Sequence, residues 1–359
     1  MNYRLGLHKI LQYTPSVTKQ LMDEQISAEE IFTMRKESLW LLNIFSEKQL
    51  YNIEEIKKHG NDADVDDFEK SGQSYVCIED NDYPEKLRNI HTPPYGIFYY
   101  GRLPDENAIA IGVVGSRNCS PYGSVIASKI GRELGKRGMQ IISGLARGVD
   151  SCSQGGALEV GGSSFGILGC GADVCYPREN IRIYNELKSA GGIISEYLPK
   201  TAPLGPHFPL RNRIISGFSD VVIVVEARRK SGSLITADYA LEQGKEIYAV
   251  PGQIDSKLCD GTNFLIKQGA GIFLSVEDFL NDLSVECVLN VKKIENKKSC
   301  LVKEENIVYS VITLWPKGVE EIMLECKMSL RETLAILGSL TAKGYIAENG
   351  KNMYVRTGS

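Results

Sequence analysis

Ile109-Ala110-Ile111-Gly112-Val113-Val114-Gly115-Ser116-Arg117 is the stretch on which the fold of this chain turns. Six mostly aliphatic residues suit a strand buried on both faces, and a small-residue turn follows at once. Pro121 and Gly123 then open an amphipathic segment over Tyr122–Arg137. The alternation repeats downstream. Strand-like runs at Met139–Ile142, Ser164–Leu168, Gly192–Ser195, Val221–Val225, Ile247–Val250 and Ile272–Leu274 are separated by helix-like segments such as Ser233–Gln243. Strands alternating with helices of ~10–15 residues predict an α/β domain, a doubly wound and mostly parallel sheet with helices on both faces. Glycine marks the same region: 26 of the 35 glycines lie between Gly101 and Gly271.

On the N-terminal side, residues 1–72 read as a helical module, with helical periodicity in Ile26–Met34 and Leu39–Ile44. The acidic run Asp62-Ala63-Asp64-Val65-Asp66-Asp67 reads as a solvated loop. Strand-like Tyr75–Ile78 and Gly96–Tyr100 introduce a central domain over 73–282. A linker is expected over 283–306, rich in Lys and Glu from Lys292 to Glu305. Residues 307–359 form a last module: helical Ile307–Leu314 and Val319–Cys326, then a helix capped by Ser329 with an apolar face of Leu330, Leu334, Leu337 and Leu340. Tyr345–Ala347 and Met353–Arg356 can pair around Asn349-Gly350. Three helices and a hairpin describe a winged helix.

The bulk numbers exclude several classes. No apolar run approaches the roughly 18 residues that span a bilayer, and Met1–Gly6 lacks an export signal, which points to a cytoplasmic protein. Nine cysteines, an odd number without a Cys-x-x-Cys pair, read as reduced thiols, so neither a metal nor another cofactor is expected. The net charge of −4 is unevenly spread: residues 1–100 carry 11 basic and 17 acidic side chains, residues 101–280 carry 19 and 18. An acidic total argues against a generally basic nucleic-acid coat, so any such binding must come from a local pocket.

Several loops can supply that pocket. Gly115-Ser116-Arg117 lies between a parallel strand and a helix start, where backbone N–H groups and the helix dipole favour an anion and arginine can fork onto a phosphate. The bland alternative is a turn with a solvated arginine. Ser143-Gly144-Leu145-Ala146-Arg147-Gly148-Val149-Asp150 and Gly169-Cys170-Gly171 end two further strands, and such loops collect at the carboxyl edge of the sheet. Phe208-Pro209-Leu210-Arg211-Asn212-Arg213 offers cations, an amide and a stacking ring, the parts of a single-strand site. Alternatively Phe208 is core and the arginines pair with acids such as Glu226. Lys230-Ser231-Gly232-Ser233 again suits a phosphate.

Enzyme motifs are mostly missing. No Gly-x-Gly-x-x-Gly follows the first strand, Lys230-Ser231 lacks the rest of a P-loop, and no Gly-x-Ser-x-Gly elbow supplies a nucleophile. Asp150 and Glu226 are the carboxylates that could act as a base, with helix capping or an ion pair as the alternative.

The ordered series Gly115-Ser116-Arg117, Ser143–Asp150, Phe208–Arg213, Lys230–Ser233 and Pro251-Gly252 resembles the DprA/Smf family of DNA-processing proteins, over residues ~75–280. The resemblance implies a Rossmann-like domain that binds single-stranded DNA, forms homodimers and helps load the RecA recombinase during natural transformation, without catalysis. It places Arg117, Phe208, Arg211, Asn212 and Arg213 in the DNA pocket and Lys230, Ser231, Gly232 and Ser233 near the phosphates. Gly115, Ser116, Ser143, Gly144, Ala146, Gly148, Gly169 and Gly171 complete the expected site. The family's N-terminal region often resembles a helix-hairpin-helix. Here Tyr13-Thr14-Pro15-Ser16-Val17 stands in its place without a glycine, so a structural or partner-contacting role is expected of that module. The rival reading is a nucleotide-binding or nucleotide-processing enzyme that uses the same crevice, with Asp150 or Glu226 as base.

Overall fold

The computed structural model describes residues 2–11, 14–290, 303–312, 317–343, 345–348 and 353–356. The chain divides into two compact units, Met1–Ser284 and Val285–Ser359.

The first unit opens with helices α1 (Tyr3–Leu11), α2 (Pro15–Asp23), α3 (Ala28–Thr33), α4 (Lys36–Leu41), α5 (Glu47–His59) and α6 (Asp62–Ser71). Capping boxes start α3 (Ser27 with Glu30) and α5 (Ser46 with Gln49). Helix α6 corrects the expectation of an acidic loop. Asp62 and Asp64 occupy its first turn, where a carboxylate suits the positive helix end, and Asp64 and Asp67 pair with Lys9 and Lys200. These helices also pack on the sheet: Leu7, Ile31 and Ile53 share one apolar cluster with Val114, Ile142 and Phe165. Residues 1–72 thus belong to the same compact unit as the sheet.

Strands β1 (Ser74–Cys77) and β2 (Gly96–Gly101), with α7 (Glu85–Arg88) between them, form an antiparallel pair. The expected alternation then follows: β3 (Ala110–Val114), α8 (Pro121–Lys136), β4 (Gln140–Ser143), α9 (Val149–Leu158), β5 (Ser164–Leu168), α10 (Ile181–Ala190), β6 (Gly192–Ser195), α11 (His207–Phe218), β7 (Val221–Val224), α12 (Gly232–Glu242), β8 (Glu246–Ala249), α13 (Asp260–Lys267), β9 (Gly271–Ile272) and α14 (Val276–Asn290). The nine strands lie in the order β1-β2-β6-β5-β4-β3-β7-β8-β9. All pairings from β6 to β9 are parallel, and β2 runs antiparallel to β6. Within β3, Ile111 and Val113 face a core with Ile130 and Leu134 of α8 and Phe279 of α14. Ala110 and Val114 face the other core, with Ile214 and Phe218 of α11. Burial on both faces is why these strands read as continuous apolar runs. The chain winds outward from β3 to β6, then returns to place β7 on the other side of β3. The switch point between β3 and β7 is where such a sheet leaves a crevice outside its carboxyl ends.

Helix α14 runs through Asn290, into the span expected as a linker, and residues 291–302 of that span lie outside the described residues. In the second unit, α15 (Lys303–Val311), β10 (Lys317–Gly318), α16 (Val319–Cys326), α17 (Leu330–Ala342), β11 (Ile346–Glu348) and β12 (Met353–Arg356) surround a small core of Val308, Ile322, Leu337 and Leu340. The strands order as β10-β12-β11. A Ser329–Glu332 capping box starts α17, but Leu330 and Leu334 are exposed. Thr333, fully buried and bonded to the Ser329 carbonyl, takes the inward direction on that first turn. The expected Asn349-Gly350 turn lies outside the described residues. No helix among the described residues is long and apolar enough to cross a membrane.

Candidate nucleic-acid interface

The turns after β3 and β7 and the first turns of α11 and α12 enclose a cleft of about 690 Å³ at the switch point. Gly115, Ser116 and Arg117 form one wall; Lys230, Ser231, Gly232 and Ser233 form the facing one. Between them lie Phe208, Arg211 and Asn212, one helical face of α11. Arg117 is exposed and stands 5.2 Å over the Phe208 ring. Among the described residues, no carboxylate pairs with Arg117, Arg228 or Lys230.

The helix starts contribute less than the sequence suggests. Ser120 caps α8 by accepting from the Gly123 amide at 3.1 Å, and buried Glu226 accepts from the Ser120 N–H (2.8 Å) and hydroxyl (2.6 Å). Asp150 accepts from the amides of Gly144 (3.0 Å) and Ala146 (3.4 Å). Protein carboxylates therefore already hold N–H groups that an anion could have used. The cationic side chains that line the cleft are the further groups able to meet an anion.

Arg211 is the central one. It is 4 % exposed, donates to the Ile167 carbonyl, and keeps a buried Nε without a partner. Burial lowers its pKa to about 10, opposed by Asp150 and assisted by Arg117. Asp150 is raised by its own burial and drawn back by Arg211 and the loop amides. A guanidinium under-matched at the floor of a cleft, with Arg117 above it, is a ready anion site.

The model of the family described as DNA recombination-mediator protein A matches residues 74–284, more than half the chain. The chain belongs to that family. It is 39 % identical over 217 residues to the DNA processing protein DprA of Bacillus subtilis, covering 60 % of this chain and 73 % of that one. The Streptococcus pneumoniae DprA is 35 % identical over 272 residues, covering 76 % and 90 %. The X-ray structure of the S. pneumoniae protein superposes with a TM-score of 0.69 at 32 % identity, over 78 % of this chain and 97 % of that one. The DNA processing protein A of Helicobacter pylori, solved for its single-stranded DNA binding mode, gives 0.53 at 30 % identity, over 60 % and 98 %. The Rossmann-like fold expected from the DprA/Smf resemblance is therefore that of the matched region, residues 74–284.

The remaining expected residues are placed differently. Arg213 is a correction: it is 1 % exposed and its Nη2 donates to both oxygens of buried Glu196, at 2.6 and 2.7 Å. Ser143 is buried and donates to the Val113 carbonyl at 2.6 Å, tying β4 to β3 rather than facing the cleft. Gly171 is buried beside Asp173 and the Leu198 carbonyl. Gly169 backs the Phe208 ring and Gly144 the Arg211 guanidinium, so both are supports. Gly148 has φ +74° and abuts the Ser116 carbonyl, a conformation and approach that a side chain would obstruct. Ala146 lines the cleft.

Asn118, Arg228 and Tyr176 are among the lining residues that escape the sequence reading, with Pro203 and Gly205. The Tyr176 ring lies 5.5 Å from that of Phe208, inclined by 34°. An aromatic before a proline in the loop after β5 was the available signal, masked by the small residues around it. Among the described residues, no three His, Cys, Asp or Glu side chains gather as metal ligands.

Proposed function

We propose that this chain is a cytoplasmic recombination mediator that grips single-stranded DNA in the switch-point cleft and hands it to a RecA-type recombinase during natural transformation. One observation carries the reading. Arg211 brings a buried, incompletely satisfied guanidinium to the cleft floor, and Arg117, Arg228 and Lys230 line the opening with no carboxylate partner among the described residues. Phosphates satisfy these groups, and Phe208 offers a face for a base. The relatives named for DNA processing, and the H. pylori structure solved for its strand binding, support the same reading. Ser231, Gly232 and Ser233 on the facing wall and Asn212 between the walls complete the site.

The protein acts by binding and not by turnover. Asp150 and Glu226, the carboxylates an enzyme would use as base, are both spent on loop amides and hydroxyls. The functional form is a homodimer through the Rossmann-like domain, and the C-terminal unit is a winged helix that contacts protein or DNA.

Fluorescence anisotropy of labelled oligo-dT and of its duplex tests the reading, comparing wild type with Arg117→Ala. The expected result is a preference for the single strand that weakens steeply with salt and falls at least tenfold in the variant. Binding that ignores both salt and Arg117 would overturn it.

A further inference from the structure

Cys119 and Cys152 stand at the starts of α8 and α9, and nothing so far gives them a role. Both are half-buried free thiols packed against the core that holds Ile130 and Val149. Cys119 immediately precedes Ser120, the cap of α8, a position that commonly packs against the fourth residue of the helix, here Ser124. Cys152 reaches the same point from α9: its Sγ lies 3.1 Å from the Ser124 Oγ. The register of the helices brings this about. Gly156 meets the Ser128 carbonyl, which sets residue 152, one turn earlier, level with residue 124. The two thiols also act on each other: burial pushes the Cys119 thiol up, and the Cys152 sulfur and then the Glu226 carboxylate push it the same way. Cys170 and Cys175 are also near one another in sequence, but each donates to a backbone carbonyl, of Val174 (3.3 Å) and Pro177 (3.5 Å).

We propose that Cys119 and Cys152 form a reversible disulfide when the protein meets hydrogen peroxide, and that the bond displaces the Arg117 turn and loosens the cleft's hold on a strand. The effect on the strand rests on the reading that the cleft binds single-stranded DNA; the disulfide itself does not. One sulfur attacks the peroxide O–O bond and becomes a sulfenic acid, releasing water. The second thiol attacks that sulfur and releases another water, so two thiols are oxidised and one peroxide is reduced. A small dithiol reverses the bond by exchange. An S–S bond of about 2.05 Å holds the two Cβ atoms about 3.8 Å apart. Helix α9 resists the movement, because Gly131 and Gly156 seat it on α8 by backbone contact. The movement falls on residues 116–119, which lie outside any helix or strand. Arg117, two residues from Cys119, then leaves its place 5.2 Å over the Phe208 ring.

The test treats the full-length protein with hydrogen peroxide and digests it without reduction by trypsin and a glutamyl endoprotease. Cleavage after Arg117, Lys129, Arg147 and Glu159 separates Cys119 and Cys152 from each other and from Cys170 and Cys175. Mass spectrometry is expected to find the peptides 118–129 and 148–159 joined, two hydrogens lighter than their sum and parted by dithiothreitol. In parallel, oxidised wild type should bind oligo-dT about tenfold more weakly, the worth of one charge-assisted hydrogen bond, and recover on reduction. Cys119→Ser and Cys152→Ser should bind as reduced wild type does and ignore peroxide. Peptides 118–129 and 148–159 that stay apart, or a bond at Cys170–Cys175 instead, overturn the proposal, whatever the variants do. A joined pair with unchanged affinity overturns the link to the cleft. Equal loss of affinity in the Cys119→Ser variant on oxidation overturns it as well. A protein that binds no strand in either state removes the single-strand reading, while the joined peptides uphold the disulfide.

Discussion

Arg211 and Arg213 stand two residues apart on α11, and the helix sends them to opposite sides. Phe208, Arg211, Asn212 and Ile215 follow the spacing of one helical face, and all four line the cleft. Arg213 lies off that stripe and neutralises Glu196, whose carboxyl is pushed up by burial and drawn back by the arginine. The two arginines therefore fail differently. Arg211→Met is expected to lose oligo-dT affinity at least tenfold, whereas Arg213→Met leaves Glu196 buried and unpaired and costs about 3–5 kcal/mol of stability. Chemical denaturation and anisotropy on both variants check this; a stable Arg213→Met that cannot bind DNA would reverse the assignment. Residue types alone could not separate the pair. Once Phe208–Arg213 is read as helix rather than as a string of ligands, the period does so.

At the scale of elements, helix α1 is pinned to the sheet by His8, which is fully buried. Its Nε2–H donates to the Glu196 carbonyl (2.6 Å), leaving Nδ1 to accept from the Tyr75 hydroxyl (3.1 Å). Burial lowers its pKa from 6.5 to about 4. The folded state thus binds fewer protons than the unfolded one between these values. The contribution is complete above pH 6.5 and is lost as pH falls towards 4, up to about 3 kcal/mol. Urea unfolding of wild type and His8→Gln across that window should show the wild type losing more stability on acidification; parallel profiles would count against it. Elements were legible where their burial is two-sided, as in β3, β5 and β7, whose apolar runs stand out from the helices between them. They were illegible where charge is ambiguous. Asp62–Asp67 has the composition of a loop, yet acids suit the start of α6 and its neighbours supply Lys9 and Lys200. The edge strand β9 (Gly271–Ile272) keeps only Ile272 of its expected residues, since pairing with β8 ends there.

For the whole molecule, a dimer carries two clefts, and a strand long enough to enter both binds the second as an intramolecular event. Affinity should then rise by ~10²–10⁴-fold between strands that span one cleft and strands that span two. Titration of an oligo-dT length series measures it, and a flat series would exclude a dimer that engages both clefts on one strand. This scale was the least legible from residues. An acidic net charge hides a cleft whose lining is cationic, and the inclusion of the N-terminal helices in the sheet's core depends on contacts between distant residues.

Helices α8 and α9 bear on the same question. Gly131 lies against the Ser153 carbonyl and Gly156 against the Ser128 carbonyl, so the two backbones touch along their length. The Arg117 turn leads into the first helix and the Gly144–Gly148 turn into the second. If the cleft takes a strand as proposed, turns packed together in this way are in place beforehand, and the protein has little ordering entropy left to lose on association. The strand must supply the pliancy. On the proposed reading a thymine tract, which holds its own bases loosely, would enter as it is, whereas an adenine tract would first have to be prised out of its own stack. A sequence preference measured for such a cleft would then report how readily the nucleic acid bends to fit it.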